Sequence, residues 1–505
     1  MRALSMSLFT APRFAIGACD HRTRGRLVAL IGALLSLAAW APTNAKAQDR
    51  TADPERPYNI LFLMCDDLNT NLGCYSHWQV ESPNLDRLAA RGTLFSNAHC
   101  QYPLCGPSRA SMMTGLYPDQ TLMTGNAVYV RRHTPDVVTL SQYFRRRGYF
   151  ATRIGKIYHY NVPLHVGTSG HDDPESWDYT INPRGRDRDE LDETFTIQAG
   201  RYGGTLSWLA VEGSDDEQTD GIAAIEAMER LEHHAQSDEP FFLAVGLYRP
   251  HTPYTSPRPY FERYPTDSVR VPTIPDGYYD TLPQPARNSV ARRDQVNLEE
   301  RLKREALQAY YASITFADRQ LGRILDKLEE TGLADRTIIV FTSDHGYHMG
   351  EHGHFQKMTL FNDATQVPLI IAVPGLTHGE RAATGAELID LYPTLVELCG
   401  YDRPEHLSGV SLVPALRDPS NVVRDSVLTR MGQGYTVRNG RYRFTQWGED
   451  GANGVELYDR EKDPEELVNL ATRPDYQEAL QEMSALLKQR VEAARVPPPG
   501  VRQVQ

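Results

Sequence analysis

YNILFLMC at positions 58–65, followed at once by Asp66-Asp67, is the stretch that decides the fold. Its eight residues are nearly continuous in apolar side chains, the pattern of a strand buried on both faces. Working outward, the chain alternates such strands with amphipathic helices. Ser82-Pro83 opens a helix through Leu85, Leu88 and Ala89, and Gly92 stops it. Another helix runs to Arg147, ends at Gly148 and leads into a strand at 149–154. FFLAV at 241–245 is a third strand. A long helix with Leu307, Tyr311, Ile314, Leu321, Leu325 and Leu328 on one face precedes TIIVFT at 337–342, a fourth strand. A fifth follows at 368–373, and 388–398 reads as a helix closed by Gly400. This alternation predicts an α/β fold, a large and mainly parallel sheet sandwiched by helices.

After Gly409 the character changes. Segments 435–437 and 441–447 flank Asn439-Gly440, a hairpin signal because both turn residues accept positive φ. A short strand at 456–458 follows, and Tyr476, Leu480, Met483, Leu487 and Val491 form a helical stripe. The expectation is a catalytic domain over 48–410 and a smaller C-terminal α+β subdomain, built on an antiparallel sheet, over 411–505. Two segments break the alternation, 160 to about 220 and the Pro-rich 253–285. Such insertions either shape the mouth of a site or remain surface loops without ligand contact.

At the front, Arg22, Arg24 and Arg26 precede an apolar run at 27–41, and Ala45-Lys46-Ala47 is a small-x-small cleavage signal. Residues 1–47 therefore read as a signal peptide, the run being short for a bilayer span. We expect an exported protein, periplasmic or secreted, with no stable membrane insertion; the alternative is an uncleaved anchor. Of 53 Lys/Arg and 65 Asp/Glu, six and one lie in this leader, which leaves 47 against 64 and a net charge of −17. That balance excludes a surface for coating nucleic acid, so an anionic substrate must be drawn in by local positive charge. Beyond the leader stand Cys65, Cys74, Cys100, Cys105 and Cys399, spaced as neither a zinc site nor a disulfide scaffold.

Polar clusters stand at or just beyond the carboxyl ends of the predicted strands, the edge at which open α/β sheets bind ligands. Asp66-Asp67 follows the first, Lys156 and His159 the second, His251 the third, and Asp344-His345-Gly346 the fourth, with Lys357 a little later. Three carboxylates in one place would repel and raise each other's pKa; a hard divalent cation resolves this, and oxygen-rich ligation suits calcium or magnesium, with zinc the next choice. The plain alternative is that Asp67 and Asp344 cap local turns.

Between the first strand and its return lies Cys105-Gly106-Pro107-Ser108-Arg109, then Thr114-Gly115. Pro107 fixes the backbone and Ser108 can start a helix, so the site would sit at a helix N-terminus, which favours anions. Arg109 adds a cation able to grip an anionic oxygen with two prongs. Two lysines would neutralise an ester's anionic oxygens, and a histidine is a suitable proton donor to a leaving alkoxide. A nucleophilic cysteine hydrolase is the competing reading.

The Cys105–Gly115 run resembles the activation signature of the type I, formylglycine-dependent sulfatases. NILFLMCDD at 59–67, Leu72-Gly73-Cys74-Tyr75, Ser82-Pro83-Asn84-Leu85-Asp86-Arg87-Leu88, Gly155-Lys156-Ile157-Tyr158-His159, Arg249-Pro250-His251-Thr252-Pro253, Ser343-Asp344-His345-Gly346, Gly350-Glu351-His352-Gly353 and Lys357 continue it in that family's order. Asp344-His345, Pro-His-x-Pro around His251 and the Gly-Glu-His-Gly run look most like the iduronate-2-sulfatase group. The resemblance implies an alkaline phosphatase/sulfatase-like fold. It also implies Cys105 oxidised to Cα-formylglycine by a formylglycine-generating or sulfatase-maturating enzyme. A calcium ion would be held by Asp66, Asp67, Asp344, His345 and modified Cys105. Arg109 would steady the nucleophile, Lys156 and Lys357 would bind sulfate, His251 would protonate the leaving sugar oxygen, and His159 would help expel the sulfate. The implied substrate is a sulfated carbohydrate, such as a 2-O-sulfated uronic acid. Alternatives are an arylsulfatase, a phosphonate or phosphate ester hydrolase, or a non-catalytic binder of sulfated glycans. Gly106 departs from the family's usual small residue with a side chain.

Overall fold

Residues 57–504 are described by the structure, a computed structural model; the leader expected at 1–47 lies outside them. Strand β1 (Asn59–Asp66) is buried along its whole length and runs through the middle of an eight-stranded sheet. The other strands are β2 (Thr93–Phe95), β3 (Phe150–Gly155), β4 (Tyr179–Ile181), β5 (Phe241–Pro250), β6 (Thr337–Ser343), β7 (Leu369–Ala372) and β8 (Arg381–Ala382). Across the sheet they stand β8-β2-β7-β6-β1-β5-β3-β4. β7 runs antiparallel to β6 and β2, and every other ladder is parallel.

The reason for β1's unbroken apolar run is visible in its two faces. Ile60, Phe62 and Met64 pack with Met112, Phe144 and Leu391, from helices α2 (Cys105–Thr114), α3 (Leu140–Arg145) and α6 (Leu391–Leu398). Leu61, Leu63 and Cys65 pack against the opposite layer, α1 (Pro83–Ala89), α4 (Thr219–His234) and the 31-residue α5 (Glu300–Glu330). Burying each large side chain contributes about 2 kcal/mol, so a polar residue on either face would be costly.

Register then determines where the polar ends meet. β1 pairs in step with β6 from Asn59↔Thr337 to Cys65↔Ser343, and with β5 from Ile60↔Phe242 to Met64↔Gly246, after which the register slips before a last pair at Asp66↔Pro250. β3 closes on β5 at Gly155↔Gly246. The carboxyl ends of four neighbouring strands therefore share one edge. Gly155, at φ 69°, turns the chain inward there; a Cβ on it would lie 2.2 Å from the Gly246 carbonyl oxygen, so only glycine delivers Lys156 at this point.

The C-terminal part is a four-stranded antiparallel sheet, β9 (Val427–Met431), β10 (Gly434–Arg438), β11 (Tyr442–Trp447) and β12 (Val455–Asp459), packed with α7 (Gln477–Arg495). β9 was not expected from sequence. The hairpin at Asn439-Gly440 forms, but not through positive φ, which neither residue has. Instead Asn439 Oδ1 accepts the N–H groups of Arg441 (2.9 Å) and Tyr442 (2.6 Å), an Asx-type turn. The two insertions are tied together, since Ser207–Val211 pairs in parallel with Tyr254–Pro257. Cys65, Cys74, Cys100, Cys105 and Cys399 are all free thiols. Among the described residues, no helix is long and apolar enough to cross a membrane.

Candidate active site

Consecutive residues of a strand point to opposite faces, yet Asp66 and Asp67 reach the same cluster. Asp67 manages this with φ 62°, a left-handed backbone that Asp tolerates better than most residues and that breaks the alternation. Its N–H is held by Asp344 Oδ1 at 3.2 Å, its carbonyl by the Tyr310 hydroxyl at 2.8 Å. Asp66, Asp67 and Asp344 are all buried. Burial pushes Asp66 up to about 7 against the pull of Lys156. Burial also works to raise Asp67 and Asp344. For Asp67 it is outweighed by His251, Lys357 and His345, which hold it at about 2; for Asp344 it is outweighed by Arg109, His345 and Lys156, which hold it well below the usual carboxylate range.

α2 begins at Cys105 itself, not at Ser108, with Leu104 as its extended N-terminal neighbour. The Cys105 thiol therefore sits at the positive end of a ten-residue, wholly buried helix. Sγ lies 3.2 Å from Lys357 Nζ, 3.3 Å from His345 Nε2, 3.7 Å from Asp66 Oδ1 and 3.9 Å from Asp67 Oδ1. Burial raises its pKa despite the two lysines, so the thiol is protonated and a poor nucleophile as it stands, which disfavours the cysteine-hydrolase reading. One turn on, Ser108 Oγ donates to the Asp344 carbonyl and clamps that loop to the helix.

Arg109 is buried, and its fork is aimed at the carboxylates and not at open space. Nε donates to Asp344 Oδ2 at 2.8 Å, Nη2 to Asp66 Oδ1 at 2.9 Å, and Nη1 to the carbonyls of Lys156 (2.5 Å) and Ile157 (3.0 Å). The two-pronged grip expected on a nucleophile's oxygen is thus a grip on two acidic side chains. Lys156 Nζ pairs with Asp66 Oδ2, and Lys357 Nζ with Asp67 Oδ1 at 2.5 Å. Three carboxylates are balanced by three cations; a bound dication would leave a surplus of positive charge for an anionic ester to cancel.

The histidines are oriented by their neighbours. His345 Nδ1 donates to the Gly346 carbonyl at 2.8 Å, which turns Nε2 toward Asp67 Oδ1, 3.3 Å away. His251 Nδ1 likewise donates to the Thr252 carbonyl at 2.6 Å, with Nε2 3.6 Å from Asp67 Oδ2. Burial lowers the pKa of His345, His251 and His159, and for the first two the neighbouring carboxylates pull the other way. His159, His251 and Lys357 line one wall of a cavity of about 490 Å³. Donor atoms of Asp67, Cys105, Asp344 and His345 lie within 4.8 Å of one another, and so do those of Asp66, Asp67 and His251. This oxygen-rich set with one imidazole nitrogen fits a divalent cation. All ten residues expected from sequence are brought together. Asn126 and Tyr310 were not foreseen, and Ser108 was expected only as a helix start: Asn126 Oδ1 accepts the Gly106 N–H at 2.8 Å, and the only signal for it was a Gly-Asn pair shortly after α2.

Fold and site define a hydrolase for esters of a tetrahedral oxyanion: a nucleophile position at a helix start, a cation cradle and two lysines on one sheet edge. The chain belongs to the sulfatase family and is a sulfuric ester hydrolase. The family's model, Sulfatase, matches residues 58–401, and that for the N-sulphoglucosamine sulphohydrolase C-terminal region matches 350–493. A sulfatase of Formosa agariphila is 34% identical over 444 residues, 85% of this chain and 86% of that protein. Human iduronate 2-sulfatase is 32% identical over 425 residues, 75% of each. Two solved structures share the fold: a phosphonate monoester hydrolase of Agrobacterium radiobacter and a 2-O GAG sulfatase. The first has 25% identity and TM-score 0.71, over 87% of this chain and 96% of that one; the second has 25% and 0.68, over 87% and 93%. The large mixed sheet with its smaller antiparallel partner is the alkaline phosphatase/sulfatase fold.

Proposed function

We propose that this chain is an exported sulfatase that removes the sulfate ester from a carbohydrate, with a 2-O-sulfated uronic acid as substrate. The observation that carries this reading is the position of Cys105: first residue of α2, within 3.9 Å of Asp66, Asp67, His345 and Lys357. The names of the human relative and of the 2-O GAG sulfatase support the choice of sugar.

Cys105, oxidised to Cα-formylglycine by a maturating enzyme, would supply a nucleophilic hydroxyl through its hydrate. A calcium ion held by Asp66, Asp67, Asp344, His345 and residue 105 would supply positive charge at the ester's oxygens. The chain's own side chains do the rest. Lys156 and Lys357 neutralise sulfate oxygens, more strongly as the S–O bond lengthens. Arg109 keeps Asp66 and Asp344 in place. His251, with Nδ1 anchored on a carbonyl, presents Nε2 for proton exchange with the leaving sugar oxygen, and His159 serves the hydroxyl of residue 105. Export would follow removal of residues 1–47.

Mass spectrometry of the peptide spanning Cys105, from a host able to mature sulfatases, tests the mechanism: replacement of sulfur by an aldehyde oxygen is expected, and cysteine throughout would sink it. A phosphonate or phosphate ester hydrolase is the second reading, favoured by the TM-score of 0.71 to the phosphonate monoester hydrolase. Rates on matched aryl sulfate and aryl phosphate separate the two.

A further inference from the structure

For so acidic a chain, the cavity beside Cys105 has an unexpected wall: among the described residues no Asp or Glu lines it, although the sequence holds 65 of them. The carboxylates that follow His171 are held elsewhere. Asp172 pairs with Arg153 at 2.8 Å and accepts the Trp177 indole N–H at 3.0 Å; Asp173 pairs with Arg131 at 2.6 Å and accepts Ser176 Oγ at 2.6 Å. Among apolar neighbours such as Leu104, Ala127, Val162 and Met358, the cavity is lined by several side chains able to donate. Asn126 spends its Oδ1 on the Gly106 N–H, so its NH2 is the end left for a ligand. The bare Gly106 permits that approach, since a Cβ would fall 2.9 Å from Asn126 Oδ1 and 3.2 Å from the Gly125 carbonyl oxygen. His165 comes from the first insertion; its ring lies 6.4 Å from that of His171, and its imidazole makes no hydrogen bond among the described residues. Arg292 adds a guanidinium, steadied by Asp294 on two prongs (3.1 and 3.2 Å) and by Gln356 Oε1 on its third nitrogen.

Carboxylates are good acceptors for sugar hydroxyls, so a pocket for a neutral sugar has no reason to exclude them. A pocket for an anion does, because one unpaired carboxylate facing another charge is costly. Building on the sulfatase reading above, we propose that Asn126, His165 and Arg292 form a second anion subsite. It takes another negatively charged group, a carboxylate or a further sulfate, on the same sugar as the scissile sulfate. The subsite makes the enzyme selective for doubly charged sugars.

The test uses formylglycine-bearing protein on a 2-O-sulfated hexuronate, its neutral 2-O-sulfated hexose counterpart, a disulfated hexose and 4-nitrophenyl sulfate. Wild-type kcat/KM should favour a doubly charged sugar over the singly charged one by about tenfold or more, and the two doubly charged sugars distinguish carboxylate from sulfate. Asn126→Asp keeps the oxygen that accepts the Gly106 N–H but adds negative charge, and should lower that preference by about tenfold. His165→Ala lies away from the Gly106 contact and should lower it several-fold. If Asn126→Asp fails to fold in melting experiments, His165→Ala decides alone. A wild-type preference near unity, or one that survives the substitution, overturns the subsite. Absence of turnover of all four sulfate esters by confirmed formylglycine protein overturns the sulfatase reading and the subsite together; turnover without discrimination among the sugars overturns the subsite only.

Discussion

Arg109→Lys isolates what the buried guanidinium does for the cation cradle. In the native chain its fork joins Asp344 at 2.8 Å to Asp66 at 2.9 Å, while its third nitrogen holds the carbonyls of Lys156 and Ile157. An ammonium keeps the charge but acts as a point, so it can serve one carboxylate and must release the other. The charge-assisted bond given up is worth about 1.5–3 kcal/mol. Loosening a partner that orients a metal ligand weakens metal binding about 10–100-fold, and at about 1.4 kcal/mol per tenfold the two ranges agree. Isothermal titration of calcium into wild type and variant, with melting curves to confirm folding, reads this directly. The expected result is a folded variant whose calcium affinity is lower by a factor in the tens. A folded variant that binds calcium within about twofold of wild type would refute the claim that Arg109 positions the ligands.

Three further outcomes follow from the packing. Cys105→Ala should abolish turnover while the melting temperature stays within a few degrees, because a small buried side chain is replaced by a slightly smaller one; global unfolding would mean the residue is structural. Glu466 is buried between Arg443 at 2.8 Å and Arg460 at 2.9 Å, and these two cations outweigh burial and hold it at about 2, below its ordinary 4.5. A lowered acid contributes stability above its unfolded value and loses it as pH falls through the folded one. Glu466→Gln should therefore cost about 3–5 kcal/mol at neutral pH by stranding a buried Arg443; the gap in melting temperature should close between pH 4.5 and 2, and a constant gap would contradict the pairing. Gly155→Ala forces a Cβ to 2.2 Å from the Gly246 oxygen at φ 69°, so soluble yield and melting temperature should both fall sharply, and a variant as stable as wild type would show that this turn is not tight.

Much of the site could be read in the chain because it lies at strand ends. An apolar run that must be buried on both faces marks each central strand, and the first polar residues after it are delivered to the ligand edge whatever the detailed packing. Asp66, Asp67, Lys156, Asp344 and His345 were found that way. His251 was harder: the apolar run stops at Val245, yet β5 continues through Pro250, because the ladder to β1 persists past Gly246 where side-chain pattern no longer reports it. β9 escaped notice for a related reason. Its residues alternate weakly, and it is a strand because β10 is beside it.

Residue type and order alone determined the layered α/β architecture, the family and the set of groups gathered at one edge, since these depend on local hydrophobic period and on short contiguous motifs. Which group faces which was decided only in three dimensions. That Arg109 grips carboxylates, that Asp67 turns left-handed to join Asp66, and that Asn126 leans on a bare Gly106 all depend on contacts between backbone segments brought side by side by folding. No local pattern encodes those distances, because they follow from the register of strands and helices far apart in the chain.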